Sequence, residues 1–421
     1  MVSIAAKIIC LLILVYAIFD IVNCKNENNR SLIWGFYLMS AEVFFRMTEA
    51  VVSWEQIKYS VFLILLIGVL VDRKPLGVPA GYLFYLMLLF VGISFTDVPE
   101  DASMRKAIVF NLLGPVLLGW CAIVFYKREI KLNTVYLALF YGILPVLSMV
   151  IFLYFRTPTL SEIRFRGTAN FQTSGGFGPN QVATALGFGI FAISALMIAK
   201  KKITGFLILD VFLLLYVIFR GLLTFSRGGM LTGVLVLIAF AIFFALSSKN
   251  YIKIFIKYII MSLLFVTAIW VYTSEVTGGM LNNRYTGKNE SGVQKKDISS
   301  GRGDIISFQF DNFMQNPIFG IGVGNGKYSR KGSGKHITGA SHNEMGRIIE
   351  EHGLIGLLSL TFLLVVPLLH LRAQSNISMA FTISFYLLWF LTINHSGMRI
   401  AFPAFVYSLS LLNITTDEEE N

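Results

Sequence analysis

Apolar runs about as long as a bilayer is thick alternate with short polar breaks along most of the chain. A helix needs about 20 apolar residues to cross the hydrocarbon layer. Runs of that kind are predicted near 2–23, 31–46, 57–71, 80–96, 107–126, 133–155, 180–199, 203–224, 229–247 and 253–273. After a long polar interval come three more, near 353–372, 377–394 and 398–413. The pattern predicts an all-α integral membrane protein of about 12–13 transmembrane helices. The stretch 41–56 carries Glu42, Arg46, Glu49 and Glu55, and fits the membrane interface as well as a crossing. Ile21-Val22-Asn23-Cys24 resembles a lipoprotein cleavage box, but the run before it is long and Asp20 interrupts its end. A first membrane helix is the better expectation than a removable signal.

The polar interval 274–352 has order signals of its own. Ser299-Ser300-Gly301-Arg302 precedes a periodic run, Asp304–Met314, in which Ile305, Ile306, Phe308 and Phe313 are apolar; this reads as a capped helix ended by Pro317. The glycines of Gly320–Gly326 follow, and a second helix is expected from Ser341-His342 into the span at Gly353. Three regions result: an N-terminal bundle (1–273), a partly helical loop domain (274–352) and C-terminal spans with an acidic tail (353–421).

Composition supports the membrane reading. Of 421 residues 55% are hydrophobic and 14% charged, where soluble domains carry about a quarter charged residues. The net charge of +11 has a topological origin, since cytoplasmic loops are rich in Lys and Arg, so nucleic acid is not expected as a partner. Lys127-Arg128-Lys131, Lys200-Lys201-Lys202 and Lys249/Lys253/Lys257 fall on alternate connections and can share the cytoplasmic side, where Arg73-Lys74 joins them. The loops 156–178, 225–228 and 274–352 then face outward. Cys10, Cys24 and Cys121 have neither metal-ligand spacing nor a disulfide framework.

Several constellations on that outer side could carry chemistry. Thr224-Phe225-Ser226-Arg227-Gly228-Gly229 puts an arginine in a tight turn between spans; a snorkelling interfacial arginine is the bland alternative. Gly301-Arg302-Gly303 opens a helix, where free N–H groups and a guanidinium favour an anion, or where the arginine is simply solvated. His342-Asn343 offers a general base of suitable pKa or a structural histidine. Asn343 and Ser341 are equal candidates to cap the helix that follows. Arg164-Phe165-Arg166-Gly167-Thr168 and Gly175–Asn180 form either a phosphate-binding loop or a plain junction with Pro179 in the first helical turn. His395, in a polar hairpin tip, rivals His342; His336, His352 and His370 are weaker candidates. Gly320–Gly326 lacks the strand that a dinucleotide site requires.

Taken together, these segments resemble the O-antigen ligase and O-antigen polymerase superfamily. The resemblance rests on Gly175–Asn180, Thr224-Phe225-Ser226-Arg227, Ser300-Gly301-Arg302, Asn316-Pro317-Ile318-Phe319-Gly320-Ile321-Gly322-Val323-Gly324, and His342-Asn343-Glu344 through Glu351-His352-Gly353 to Gly356-Leu357. It covers roughly residues 160–360. The spacing of His342-Asn343, Gly353 and Gly356 is similar to the ligase signature, which the polymerases largely share.

The resemblance implies a glycosyltransferase in the bacterial inner membrane with its active site facing the periplasm. The donor would be an undecaprenyl-diphosphate-linked glycan and the acceptor lipid A–core (ligase) or a growing glycan (polymerase). No nucleotide sugar, cofactor or metal would be required. Arg227 and Arg302 would hold the diphosphate, His342 would be the base, and Arg164, Arg166, Asn180, Asn343 and His395 would be outer candidates for the diphosphate or glycan. The outward segments show no clear carboxylate pair for glycosidase chemistry. A lipid-linked oligosaccharide transporter is the competing class; it would be expected to show an internal repeat and polar residues along its spans. A structural scaffold would leave the Arg and His constellation unexplained.

Overall fold

The computed structural model describes residues 2–72, 76–247, 264–295, 297, 301–332, 341–371 and 374–416. The apolar runs are helices, because a backbone in hydrocarbon must satisfy its own N–H and C=O groups. In chain order these are α1 (Val2–Asn23), α2 (Arg30–Met47), α3 (Gln56–Val71), α4 (Ala80–Val91), α5 (Met104–Phe125), α6 (Leu132–Arg156), α7 (Pro179–Ile198), α8 (Leu207–Leu223), α9 (Arg227–Ala245) and α10 (Leu264–Val276). The polar interval holds α11 (Met280–Tyr285), α12 (Arg302–Gln315) and α13 (Gly326–Gly332). The chain then forms α14 (Glu344–Leu371), α15 (Asn376–His395) and α16 (Ala401–Leu409). Strands β1 (Glu129–Lys131) and β2 (Asn413–Thr415) make a small parallel pair, Ile130 opposite Ile414.

The chain is an all-α integral membrane protein. Among the described residues seven helices are long and apolar enough to cross a membrane: α1, α5, α6, α7, α9, α14 and α15. The run expected near 398–413 contracts to α16, nine residues, which at 1.5 Å per residue extend only about 14 Å. Every residue of α16 is buried, so it fills the interior of the bundle. The stretch with Glu42 and Arg46 is likewise interior: both are buried on α2, with Arg46 Nη2 donating to Glu42 Oε1 at 2.5 Å. Residues 253–263, Lys249, Arg73-Lys74, Ser299-Ser300, His336 and the acidic tail lie outside the described residues.

Helices α7 and α9 approach backbone to backbone, and small residues allow it. A Cβ on Gly229 would lie 2.3 Å from the Ala183 carbonyl carbon, and one on Gly187 would lie 2.3 Å from the Gly229 oxygen. Gly229 and Gly233 are four apart on α9, the spacing by which helices in membranes approach backbone to backbone. Around this pair, α15 packs on α9, α2 on α6 and α16 on α5.

The two ends of the bundle differ. At one, Lys127 N donates to Leu411 O, Lys201 Nζ to Asn133 Oδ1 and His370 Nε2 to Leu412 O, so the basic clusters at 127–131 and 200–202 come together. The starts of α7, α9 and α14 meet the end of α15 at the other.

Candidate active site

The turn between α8 and α9 is built to present Arg227. Phe225 takes a left-handed backbone (φ 56°) and stacks on Phe165 at 5.4 Å, reversing the chain within three residues. Thr224 Oγ1 accepts from Ser226 N, and Ser226 Oγ donates to Asn180 Oδ1 at 2.8 Å, tying the turn to the start of α7. Arg227 is then the first residue of α9, half-buried. Gly228 is pressed against the His395 ring, which a Cβ there would approach to 2.5 Å.

Helix α12 brings in Arg302 as its first residue, after Gly301 in the left-handed region (φ 82°). Its position follows from polar contacts with the start of α14. Asn312 Nδ2 donates to Glu350 Oε1 at 2.8 Å, and Gln309 packs where only Gly346 leaves room. Burial and the nearby charge of Arg227 lower the Arg302 pKa, so the two guanidinium groups are near enough to feel each other's charge.

His342 stands one residue before the cap of α14. The choice between Ser341 and Asn343 resolves to Asn343, whose Oδ1 accepts from Gly346 N at 3.2 Å; Ser341 Oγ instead accepts from Asn343 N at 3.1 Å. Burial holds the His342 pKa down to about 4, with further lowering from Arg399, Arg302 and His395. This departs from the ordinary value of about 6.5 that position in the sequence suggests. Arg227, Arg302, His342 and His395, from four separate segments, therefore converge at one end of the bundle.

The remaining candidates divide. His395 is buried with both ring nitrogens engaged, Nδ1 with Leu391 O at 2.8 Å and Nε2 with Thr184 Oγ1 at 3.1 Å. Asn180 belongs to the same polar chain through Ser226 and Thr184. Arg164 and Arg166 are exposed and approach Glu290 at 3.8 and 3.9 Å, beside the cluster instead of within it. His352 is buried against Gly92, and His370 is at the opposite end. The Gly320–Gly326 stretch is a turn pinned to other backbone: Ile321 N to Glu350 O, Gly322 N to Glu351 O and Val323 N to Gly92 O. Among the described residues no group of three or more His, Cys, Asp or Glu side chains could hold a metal ion.

A family model described as O-Antigen ligase matches residues 211–361. The chain carries an O-antigen ligase family domain. No curated protein and no solved structure matches it. The domain takes in Arg227, Arg302, His342 and Asn343; Arg164, Arg166, Asn180 and His395 come from outside it.

Around this domain the fold gives roles to residues for which the sequence suggested none, Arg399 of the 395–399 hairpin tip among them. Arg399 donates to the Ser341 carbonyl, holding the His342 segment. Arg399 is fixed in turn, because Arg46 donates to its carbonyl at 3.3 Å, Glu344 accepts from Met398 N at 3.3 Å and Glu42 accepts from Ala401 N at 2.5 Å. Glu344 and Glu351 both pair with Arg347, and Glu350 with Arg330, so these buried carboxylates are occupied by arginines. The i, i+3 and i, i+4 spacing of Glu344, Arg347 and Glu351 was a readable signal. Nothing in the sequence links Glu42 or Arg399 to that helix.

Proposed function

We propose that this O-antigen ligase family protein moves a glycan from undecaprenyl diphosphate to an acceptor hydroxyl of lipid A–core. The convergence of Arg227, Arg302 and His342 carries the reading. In the reaction the acceptor oxygen forms a bond to the anomeric carbon while the bond from that carbon to the diphosphate oxygen breaks. The electron pair leaves with the lipid diphosphate, whose growing charge two guanidinium groups stabilise through bidentate hydrogen bonds. The hydroxyl proton passes to His342, which its lowered pKa keeps neutral well below physiological pH. Arginine charge fills the role a metal would otherwise have. The basic clusters at the far end of the bundle favour a cytoplasmic placement for that end and a periplasmic one for the site.

Transfer in vitro from a lipid-linked donor, with donor binding followed separately, tests the roles. Arg227→Ala and Arg302→Ala are each expected to abolish transfer and weaken donor binding while the protein remains inserted. Lys is expected to rescue poorly, having no planar fork. His342→Ala is expected to lower turnover by roughly 10² to 10⁴ with donor binding nearly unchanged. Normal turnover in His342→Ala rejects the base assignment; full activity in both arginine variants rejects the site. In the host, gene deletion that leaves polymer on its lipid carrier and none on lipid A–core identifies a ligase. A single capped repeat unit identifies a polymerase instead.

A further inference from the structure

Beside Arg227 and Arg302 lies a second pair of cations that no sequence motif marks. Arg284, on the short helix α11, donates from Nε to Phe225 O at 3.0 Å and from Nη1 to Gly167 O at 3.2 Å. It thereby joins the Arg227 turn to the 164–168 loop. Lys295 Nζ donates to the same Gly167 carbonyl at 2.7 Å. A hairpin holds Lys295 there: Asn289 N donates to Val293 O at 2.8 Å and Lys295 N to Gly287 O at 2.9 Å. Gly167 fits between them because it has no side chain; a Cβ would lie 3.0 Å from Lys295 Nζ.

From this geometry we infer that Arg284 and Lys295 form the second half of the diphosphate site, contacting the donor phosphate that Arg227 and Arg302 do not. The inference rests on the lipid-diphosphate reading above. Two linked phosphates present more charge and more acceptor oxygens than two guanidinium groups readily cover. Arg284 suits the task because its two carbonyl contacts fix the plane of its fork before any ligand arrives. The electrostatics agree. Burial, then Arg227 and then Arg302, hold the Arg284 pKa down to about 10, and burial with Arg284 and Arg227 lowers that of Lys295. Glu290 offsets part of this at Lys295, but at half-buried Arg284 the neighbouring cations disfavour the charged form, and a multiply charged anion bound there would favour it.

Calorimetric titration of the purified full-length protein in detergent with inorganic pyrophosphate tests this, using Arg284→Gln, Arg284→Lys, Lys295→Met and Arg227→Ala. Wild type is expected to bind, and Arg284→Gln and Lys295→Met to lose affinity by about tenfold or more, the scale of a hydrogen bond to a charged group. Arg284→Lys is expected to recover little, since an ammonium cannot keep both carbonyl contacts and a phosphate contact. If Arg284→Gln fails to fold, Lys295→Met, on the hairpin, still decides. Wild-type affinity in Lys295→Met, or in a folded Arg284→Gln, overturns the inference while a weakened Arg227→Ala leaves the parent reading standing. No binding by wild type, or unchanged binding in Arg227→Ala, overturns the diphosphate reading itself.

Discussion

A histidine must be unprotonated, and so neutral, to act as a general base, and burial keeps His342 neutral over a wide pH range. Burial opposes its charged form first, and Arg399 and Arg302 add to this from the 396–400 turn and from α12. His395 on α15 acts in the same direction. Glu344, the next charged group along the chain, is engaged by Arg347 and Met398 N. The kcat/KM profile for donor, which reports the free enzyme, is therefore expected to be flat from pH 8 to about pH 5 and to fall only as pH approaches about 4. Arg399→Met removes a cation that disfavours the imidazolium. The His342 pKa then rises, and the acidic fall in activity moves to higher pH, towards about 6.5. Initial rates at subsaturating donor across a pH series check both. An acidic limb already near 6.5 in wild type contradicts the account of the site. A limb that stays in place in Arg399→Met assigns the lowered pKa to burial with Arg302 and His395, without Arg399. Legibility at this scale was partial. Arg227, Arg302 and His342 stand in recognisable local patterns, but Arg284 and Arg399 become visible only where distant loops meet.

Among the elements, α14 links the loop to the bundle through one residue. Gly353 has φ 61° and ψ −139°, so the ladder is interrupted and Leu354 N donates instead to Pro317 O at 2.7 Å. A Cβ at Gly353 would lie 2.6 Å from Pro317 O and 2.7 Å from Gly320 N. The kink lets the polar first turns of α14 dock under α12 while the apolar remainder crosses the membrane. Gly353→Ala is expected to cost about 1–3 kcal/mol from this positive-φ backbone conformation, which side chains rarely adopt, with the steric contact adding to it. Thermal unfolding in detergent should show a lower midpoint, and donor binding should weaken as α12 and Arg302 shift. A midpoint equal to wild type would mean the kink relaxes without consequence. The sequence predicted the helix and its passage into a span, but not the break. Glycine is compatible with a continuous helix, and only the packed Pro317 and Gly320 backbone demands the kink.

For the whole molecule, the proposed site residues gather at one end of the bundle, and the mechanism proposed above requires that end to lie on a single membrane face. Lys201 reaches Asn133 at the start of α6, next to the Lys127–Lys131 cluster, and this end lies across the bundle from His342. A reporter active only outside the cytoplasm is expected to work when fused after Ser299 and to fail when fused after Lys201. The same signal from both fusions would separate the site residues into two compartments and end the proposed mechanism.

Class and membrane character were written in the sequence, because apolar length and helical satisfaction of the backbone are local requirements that hydrocarbon imposes on each segment separately. The segments that carry the family resemblance were likewise readable, since each tight turn or helix start needs particular residues in order. Tertiary structure alone decided which apolar helices are interior. Helix α16 is as apolar as a span, yet it lies buried beside α2, where Glu42 and Arg46 serve its first turn. It also decided which cations gather: Arg164 and Arg166 stand in the same short loop as Gly167, yet the carbonyl of Gly167, not their charge, meets Arg284 and Lys295. Hydropathy records whether a residue tolerates an apolar surrounding. It carries no record of which distant segment supplies that surrounding, and at this site the distant segments set both the pKa and the charge.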